Sequence, residues 1–302
     1  MAALVVTGLG KRYRRRWGLR DCTLEVPTGR VVALVGPNGA GKTTLLHLAA
    51  GLSRPTAGTV RTLDRTPGRD VGLLPDIGFV AQDVPLYRSF TVRDLVRFGR
   101  QTNPRWDDQF AVDRLGQAGI DLGQRAGTLS GGQRAQVALT LALAKRPRLL
   151  LLDEPLASLD PLARREFLQA LMAAVADGAI TVVLSSHLIS DLERVCDYLV
   201  VLSAARTQVA GDIEELLAAH RILTGARRDL PDRLPGVAAV VQQTHTDRQT
   251  TLLVRTNGTV VDPRWTVGRL GLEELVLAYL GQPQAVALPA PRLARAGAEA
   301  EP

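Results

Sequence analysis

Lysine is almost missing from this chain. Of its 37 cationic side chains only Lys11, Lys42 and Lys145 are lysines, and all the others are arginine. Arginine supplies charge wherever a generic cation serves, so a lysine marks a place that needs a compact ammonium rather than a planar fork. Those three lysines also exclude a guanine-reading Asn-Lys-x-Asp pattern, because Gly10, Gly41 and Ala144 precede them. Cysteine is equally scarce. Cys22 and Cys196 stand far apart, which excludes a disulfide framework and a cysteine metal site. No apolar run approaches the ~18 to 20 residues of a membrane span. The stretch from Met1 to Gly8 has neither the basic start nor the long apolar core of a secretion signal. The expectation is therefore a cytoplasmic chain. Repeats of solenoid length and sustained heptads are also absent.

What is present is ordinary material for a folded core: 302 residues, 46% hydrophobic and 22% charged. The net charge of +7 favours anionic partners, whether nucleotide, acidic lipid or nucleic acid. The one dense basic run, Lys11-Arg12-Tyr13-Arg14-Arg15-Arg16, reads as a solvated face.

The chain is organised around Gly36-Pro37-Asn38-Gly39-Ala40-Gly41-Lys42-Thr43. An apolar run, Val31 to Val35, precedes it and a helical segment from Thr44 follows. Strand, glycine loop and helix are the context of a phosphate-binding loop. Glycines let consecutive backbone N–H groups turn inward, and the new helix adds its positive end. Lys42 then reaches the β and γ phosphates, and the Thr43 hydroxyl can hold Mg²⁺.

Before the loop, short apolar stretches alternate with turns and read as strands. Tyr13 and Trp17 are both placed to stack on an adenine ring, and their spacing does not choose between them. After it, Ile77 to Gln82 reads as a buried strand that ends on an amide. Apolar spacings of three and four within about 88–145 mark an inserted helical block. Leu149 to Leu152 is a strand buried on both faces that runs into Asp153 and Glu154. At the C-terminal edge of a parallel sheet, Asp153 can coordinate Mg²⁺ through water and Glu154 can act as base for a hydrolytic water. Ile180 to Ser186 ends on His187 at the same edge. Residues 221–282 alternate like a small α+β appendage without a catalytic constellation, and 283–302 has the Ala, Pro, Arg and Glu composition of a disordered tail.

Taken together, these residues resemble the ATP-binding subunit of an ABC transporter over roughly 3–220. Leu129-Ser130-Gly131-Gly132-Gln133 stands about twenty residues before Leu149 to Pro155, and Ala157-Ser158-Leu159-Asp160 and His187 follow in the family's order. The resemblance implies an α/β P-loop NTPase of ABC type: a mostly parallel core sheet, an N-terminal antiparallel β subdomain, the inserted helical subdomain and the small appendage. It implies ATP and Mg²⁺ as ligands, with Gly36 to Thr43 on the triphosphate and Thr44 beside it. Tyr13 resembles the adenine-stacking aromatic, with Trp17 as substitute, and Gln82 the glutamine that senses Mg²⁺ and the attacking water. Glu154 would be the base and His187 the switch on the γ-phosphate. Ser130, Gly131, Gly132 and Gln133 would complete a second subunit's site, and Asp160 would link the two sites. The partners implied are a second ATPase copy or paralogue and a separate membrane permease, with no nucleic acid, at the cytoplasmic face of the membrane and driving export. Ser158 departs from the glycine common at its place. Truncation after Leu223 is expected to spare ATP chemistry.

Overall fold

The computed structural model describes residues 1–176, 180–228 and 234–281. Two long strands open the chain, β1 (Ala2–Tyr13) and β2 (Arg16–Pro27), joined by a turn in which Arg14 is left-handed. β3 (Val31–Val35) leads through the glycine loop into α1 (Lys42–Ala49), followed by β4 (Ala57–Thr62) and β5 (Ile77–Val80). Three helices come next: α2 (Val92–Thr102), α3 (Asp108–Gln117) and α4 (Gly131–Ala144). The chain returns through β6 (Leu149–Leu152), α5 (Pro161–Ala176), β7 (Thr181–Ser186) and the single turn α6 (Ile189–Leu192). β8 (Tyr198–Ser203), β9 (Arg206–Asp212) and α7 (Ile213–Ala219) follow. The last elements are β10 (His220–Ala226), β11 (Val237–His245), β12 (Gln249–Thr256), β13 (Thr266–Gly268) and α8 (Leu272–Gly281).

The central sheet runs β5-β6-β7-β3-β8-β9, parallel except for β9 at its edge. β3, β6 and β7 are buried at every position, which is why β3 and β6 read as unbroken apolar runs rather than alternating ones. Successive side chains still point to opposite faces. Ala33, Val35, Leu150, Leu152, Val182 and Leu184 join one core with α4 and α5. Val32, Leu34, Leu149, Leu151 and Val183 join a second core with α1 and the antiparallel sheet β2-β1-β4. Register fixes the functional edge. Val80 pairs with Leu152, Leu152 with Leu184, and Val35 with Ser186. Gln82, Asp153, Glu154, His187 and Gly36 therefore all follow strand ends at one edge.

The helical block has its own core of Val92, Leu95, Ala111, Leu115 and Val137. Its last helix belongs to two cores at once, because Ala135, Leu139 and Leu143 of α4 pack on the central sheet.

The appendage is an antiparallel sheet, β11-β12-β10-β13, with α8 packed beneath it. It is not detached. Leu272, Leu275, Val276, Ala278 and Tyr279 of α8 lie in the same core as the central sheet. His220, 1% exposed, stitches the junction: Nδ1 lies 2.7 Å from the Leu216 carbonyl and Nε2 2.9 Å from the Tyr279 hydroxyl. A cut after Leu223 would uncover that core. The tail expected at 283–302 lies outside the described residues.

Candidate functional site

The glycine loop is built for close approach. A Cβ at Gly36 would sit 2.4 Å from the Leu202 carbonyl oxygen, and one at Gly41 equally close to that of Gly18. Gly41 has φ 106°, a left-handed value that glycine adopts without strain. It caps α1 without a side chain, so no side-chain acceptor takes the first N–H groups of the helix. Such groups, with the helix dipole, attract anions.

Lys42 is only 6% exposed. Its ammonium donates to the Gly36 carbonyl at 2.6 Å and lies 3.1 Å from Glu154 Oε1. Glu154 Oε2 lies 2.8 Å from His187 Nδ1. Lys42 at the start of α1 and two residues that follow strand ends thus form one chain of contacts, Lys42 to Glu154 to His187. His187 is half-exposed, so the chain of contacts reaches from the interior to the cavity mouth.

Glu154 carries a left-handed φ of 47°. For a residue with a Cβ this costs on the order of 1 kcal/mol or more, and such strain gathers at functional sites. Its neighbours hold it there. The Glu154 N–H donates to Ser185 Oγ at 2.8 Å, and the Ser185 hydroxyl donates to Asp153 Oδ1 at 2.9 Å. Ser185 is fully buried and fixes both acidic residues, yet sequence reasoning passed it over. The signal was the serine pair before His187, where the apolar run of β7 stops.

These groups surround a cavity of about 690 Å³, within the range that holds a small ligand. It is lined by Tyr13, by Pro37 to Thr44, and by Gln82, Glu154 and His187. Gly18 and Ala157 also line it and were not anticipated. Gly18 matters because a Cβ there would come within 3.0 Å of both the Tyr13 ring and Thr44 Oγ1. Tyr13, not Trp17, faces the cavity. Cross-strand pairing explains this. Arg12 pairs with Trp17, so Trp17 shares Arg12's face and Tyr13 takes the other. The Trp17 ring instead covers Gly10, with the Arg12 guanidinium 5.9 Å from the ring centre.

Other expected residues lie outside this cavity. Asp153, 2% exposed, is buried beneath it. Ser130 is exposed at the start of α4, where it forms a capping box with Gln133: the Gln133 N–H donates to Ser130 Oγ, and the Ser130 N–H to Gln133 Oε1. Gly131 approaches the Ser158 carbonyl, and Gly132 lies against Ala163. Asp160 accepts the N–H groups of Leu162 and Ala163, each at 3.0 Å, and so caps α5. Ser158 has no left-handed backbone, so the departure from glycine there carries no strain.

Residues 19–157 match the profile of the ABC transporter family. The sulfate/thiosulfate import ATP-binding protein CysA of Mesorhizobium japonicum is 36% identical over 221 residues, 70% of this chain and 64% of that protein. The protein of the same name from Vibrio vulnificus is 36% identical over 230 residues, 72% of this chain and 66% of its own length. The chain thus spans slightly less than two thirds of these relatives. Among solved structures, cbiO1 from Clostridium perfringens, part of the ABC transporter complex cbiONQ, superposes with a TM-score of 0.63 at 27% identity. That match covers 72% of this chain and 91% of cbiO1.

Proposed function

The chain belongs to the ABC transporter family through its residues 19–157, and from that footing we propose that it is the ATP-hydrolysing subunit of a transporter whose membrane-spanning part is another chain. The observation that carries the reading is Glu154, held between Lys42 and His187 in the cavity of the glycine loop. The triphosphate would lie along Gly36 to Thr44 with adenine on Tyr13. Lys42 would then leave the Gly36 carbonyl for phosphate oxygens. Glu154, released from that ammonium, would orient and deprotonate the attacking water, and His187 would hold the γ-phosphate end.

The residues present fit Mg²⁺. Thr43 and Gln82 line the cavity, and Asp153 lies below with one oxygen fixed by Ser185. No group of three acidic, His or Cys side chains that could hold a metal occurs among the described residues. An ion there would be held by one or two protein groups together with the substrate's own phosphates. The ion would supply neutralisation of phosphate charge.

Ser130 does not line its own cavity and is exposed at a helix start, which supports a site completed by a second copy or a paralogue. Two nucleotides would be enclosed between head-to-tail subunits linked at Asp160. Beside the site, an apolar groove of about 530 Å³ lies between β5 and the helical block, walled by Leu86, Tyr87, Phe98 and Trp106. Ala81 lines this groove and Gln82 the nucleotide cavity. Adjacent residues on one loop therefore face both cavities, and this supports docking of the membrane partner in the groove. No helix among the described residues is long and apolar enough to cross a membrane. In this reading the chain works at the cytoplasmic face of the membrane.

The named relatives are import proteins, which favours import over the export expected from the sequence. Their cargo is not carried over to this chain. The reading is tested by Glu154→Gln. The variant should bind ATP, accumulate an ATP-dependent dimer in sedimentation, and lose about 10² to 10⁴ in turnover. Turnover at the parent rate would remove Glu154 as the base.

A further inference from the structure

A separate cavity, of about 410 Å³, lies between α5 and the α6 turn and shares no residue with the nucleotide cavity. Three arginines line it, Arg164, Arg165 and Arg194, together with one carboxylate, Asp191. None of these four charges is in an ion pair among the described residues. Ion pairs do form elsewhere in the chain, as at Arg105 with Asp76 and Arg146 with Asp107. Arg164 is also anchored, its Nε donating to the Leu156 carbonyl at 3.2 Å.

Asp191 Oδ2 is buried and has no hydrogen-bond partner among the described residues. Buried acceptors are rarely left unpaired, because the desolvation is uncompensated. Leu168, Met172 and Val195 supply an apolar wall to the same cavity.

We propose that this cavity binds a small phosphate monoester that also carries a hydroxyl group, of the polyol-phosphate or sugar-phosphate class. Three guanidiniums against one carboxylate leave an excess of two positive charges, which a monoester close to its dianion at neutral pH balances. Guanidinium forks match phosphate oxygens bidentately, which a lysine cannot do. The hydroxyl donates to the Asp191 carboxylate at the cavity wall. The carbon skeleton covers the apolar wall. Inorganic phosphate meets the charge and guanidinium requirements but has no carbon skeleton to cover the apolar wall, and a simple carboxylate leaves one positive charge over.

Isothermal titration of the full chain with glycerol 3-phosphate, and in parallel with inorganic phosphate, tests the proposal. Binding of glycerol 3-phosphate is expected, weakened at least about tenfold by Arg165→Glu and by Arg194→Glu, since each removes a charge-assisted contact. Inorganic phosphate should bind at least about tenfold more weakly than the ester. Both arginines are exposed, so the variants should melt as the parent does, and a melting curve checks this. No heat with glycerol 3-phosphate, binding that both charge reversals leave unchanged, or equal affinity for inorganic phosphate would each overturn it. The charge reversals separate this cavity from the nucleotide loop, where neither side chain lies.

Discussion

At the scale of single residues, the site depends on what each side chain is denied. Lys42 and Glu154 are both nearly excluded from water, and their charges face each other at 3.1 Å. Tyr13 and Trp17 differ by the face of one hairpin. Replacing Tyr13 with Ala should weaken ATP binding about twofold to tenfold, the worth of one aromatic contact. Trp17→Ala should leave that affinity within error. Fluorescent-nucleotide titration measures both, and equal losses would return Trp17 to the site. Lys42 was legible from the glycine loop before it, and Glu154 and His187 from the buried strands they follow, since parallel strands deliver their ends to one edge. Gly18 and Ser185 were not. Their roles arise across the fold, Gly18 beneath the Tyr13 ring and Ser185 between β6 and β7, and no spacing along the chain records that.

At the scale of elements, α4 shows how one residue can serve two purposes. Ser130 closes a capping box at its start, and the shared-site reading also assigns it to a partner's phosphate. The two can be separated. Ser130→Ala should destabilise the protein by about 1 kcal/mol through the lost cap. Ser130→Asp keeps a capping oxygen and should retain stability, while its negative charge repels the partner's nucleotide. Urea unfolding and steady-state hydrolysis, run side by side, should show a stable but inactive Asp variant. Normal hydrolysis by that variant would remove Ser130 from the site. Element types were mostly legible, down to the amphipathic pattern of α8 and the four-leucine strand β6. Destinations were less so. The periodicity of α8 showed that one face must be buried but not that the central core would bury it. β9 went unread because Arg206-Thr207-Gln208 interrupts its apolar pattern, and pairing with β8 overrides that weak propensity.

At the scale of the whole molecule, the nucleotide lobe and the C-terminal appendage share one core. Deleting the chain beyond Leu223 should therefore lower the melting temperature of the remainder, or drive it to aggregate, rather than release an intact lobe. A clean two-state melt unchanged from the parent would refute this. His220 ties the junction to pH. Burial, and then Arg255 and Arg221, hold its imidazole below the usual range, against the opposing bond from the Leu216 carbonyl. A folded value below the unfolded one means that the unfolded chain takes up the proton first. The stabilisation is therefore complete above about pH 6.5 and is lost as pH falls through the lowered value. Chemical denaturation between pH 8 and 5 should show stability falling more steeply in the parent than in His220→Asn. Parallel curves would assign the acid sensitivity elsewhere.

The burial of Tyr279 and its neighbours against the central sheet has a mechanical consequence. A probe fixed on the outer strand β11 is bolted to the nucleotide lobe through α8, with no swivel between them. When two such lobes draw together or part, a pair of labels there would work like the hands of a gauge, turning a small approach at the nucleotide into a distance readable by spin–spin spectroscopy.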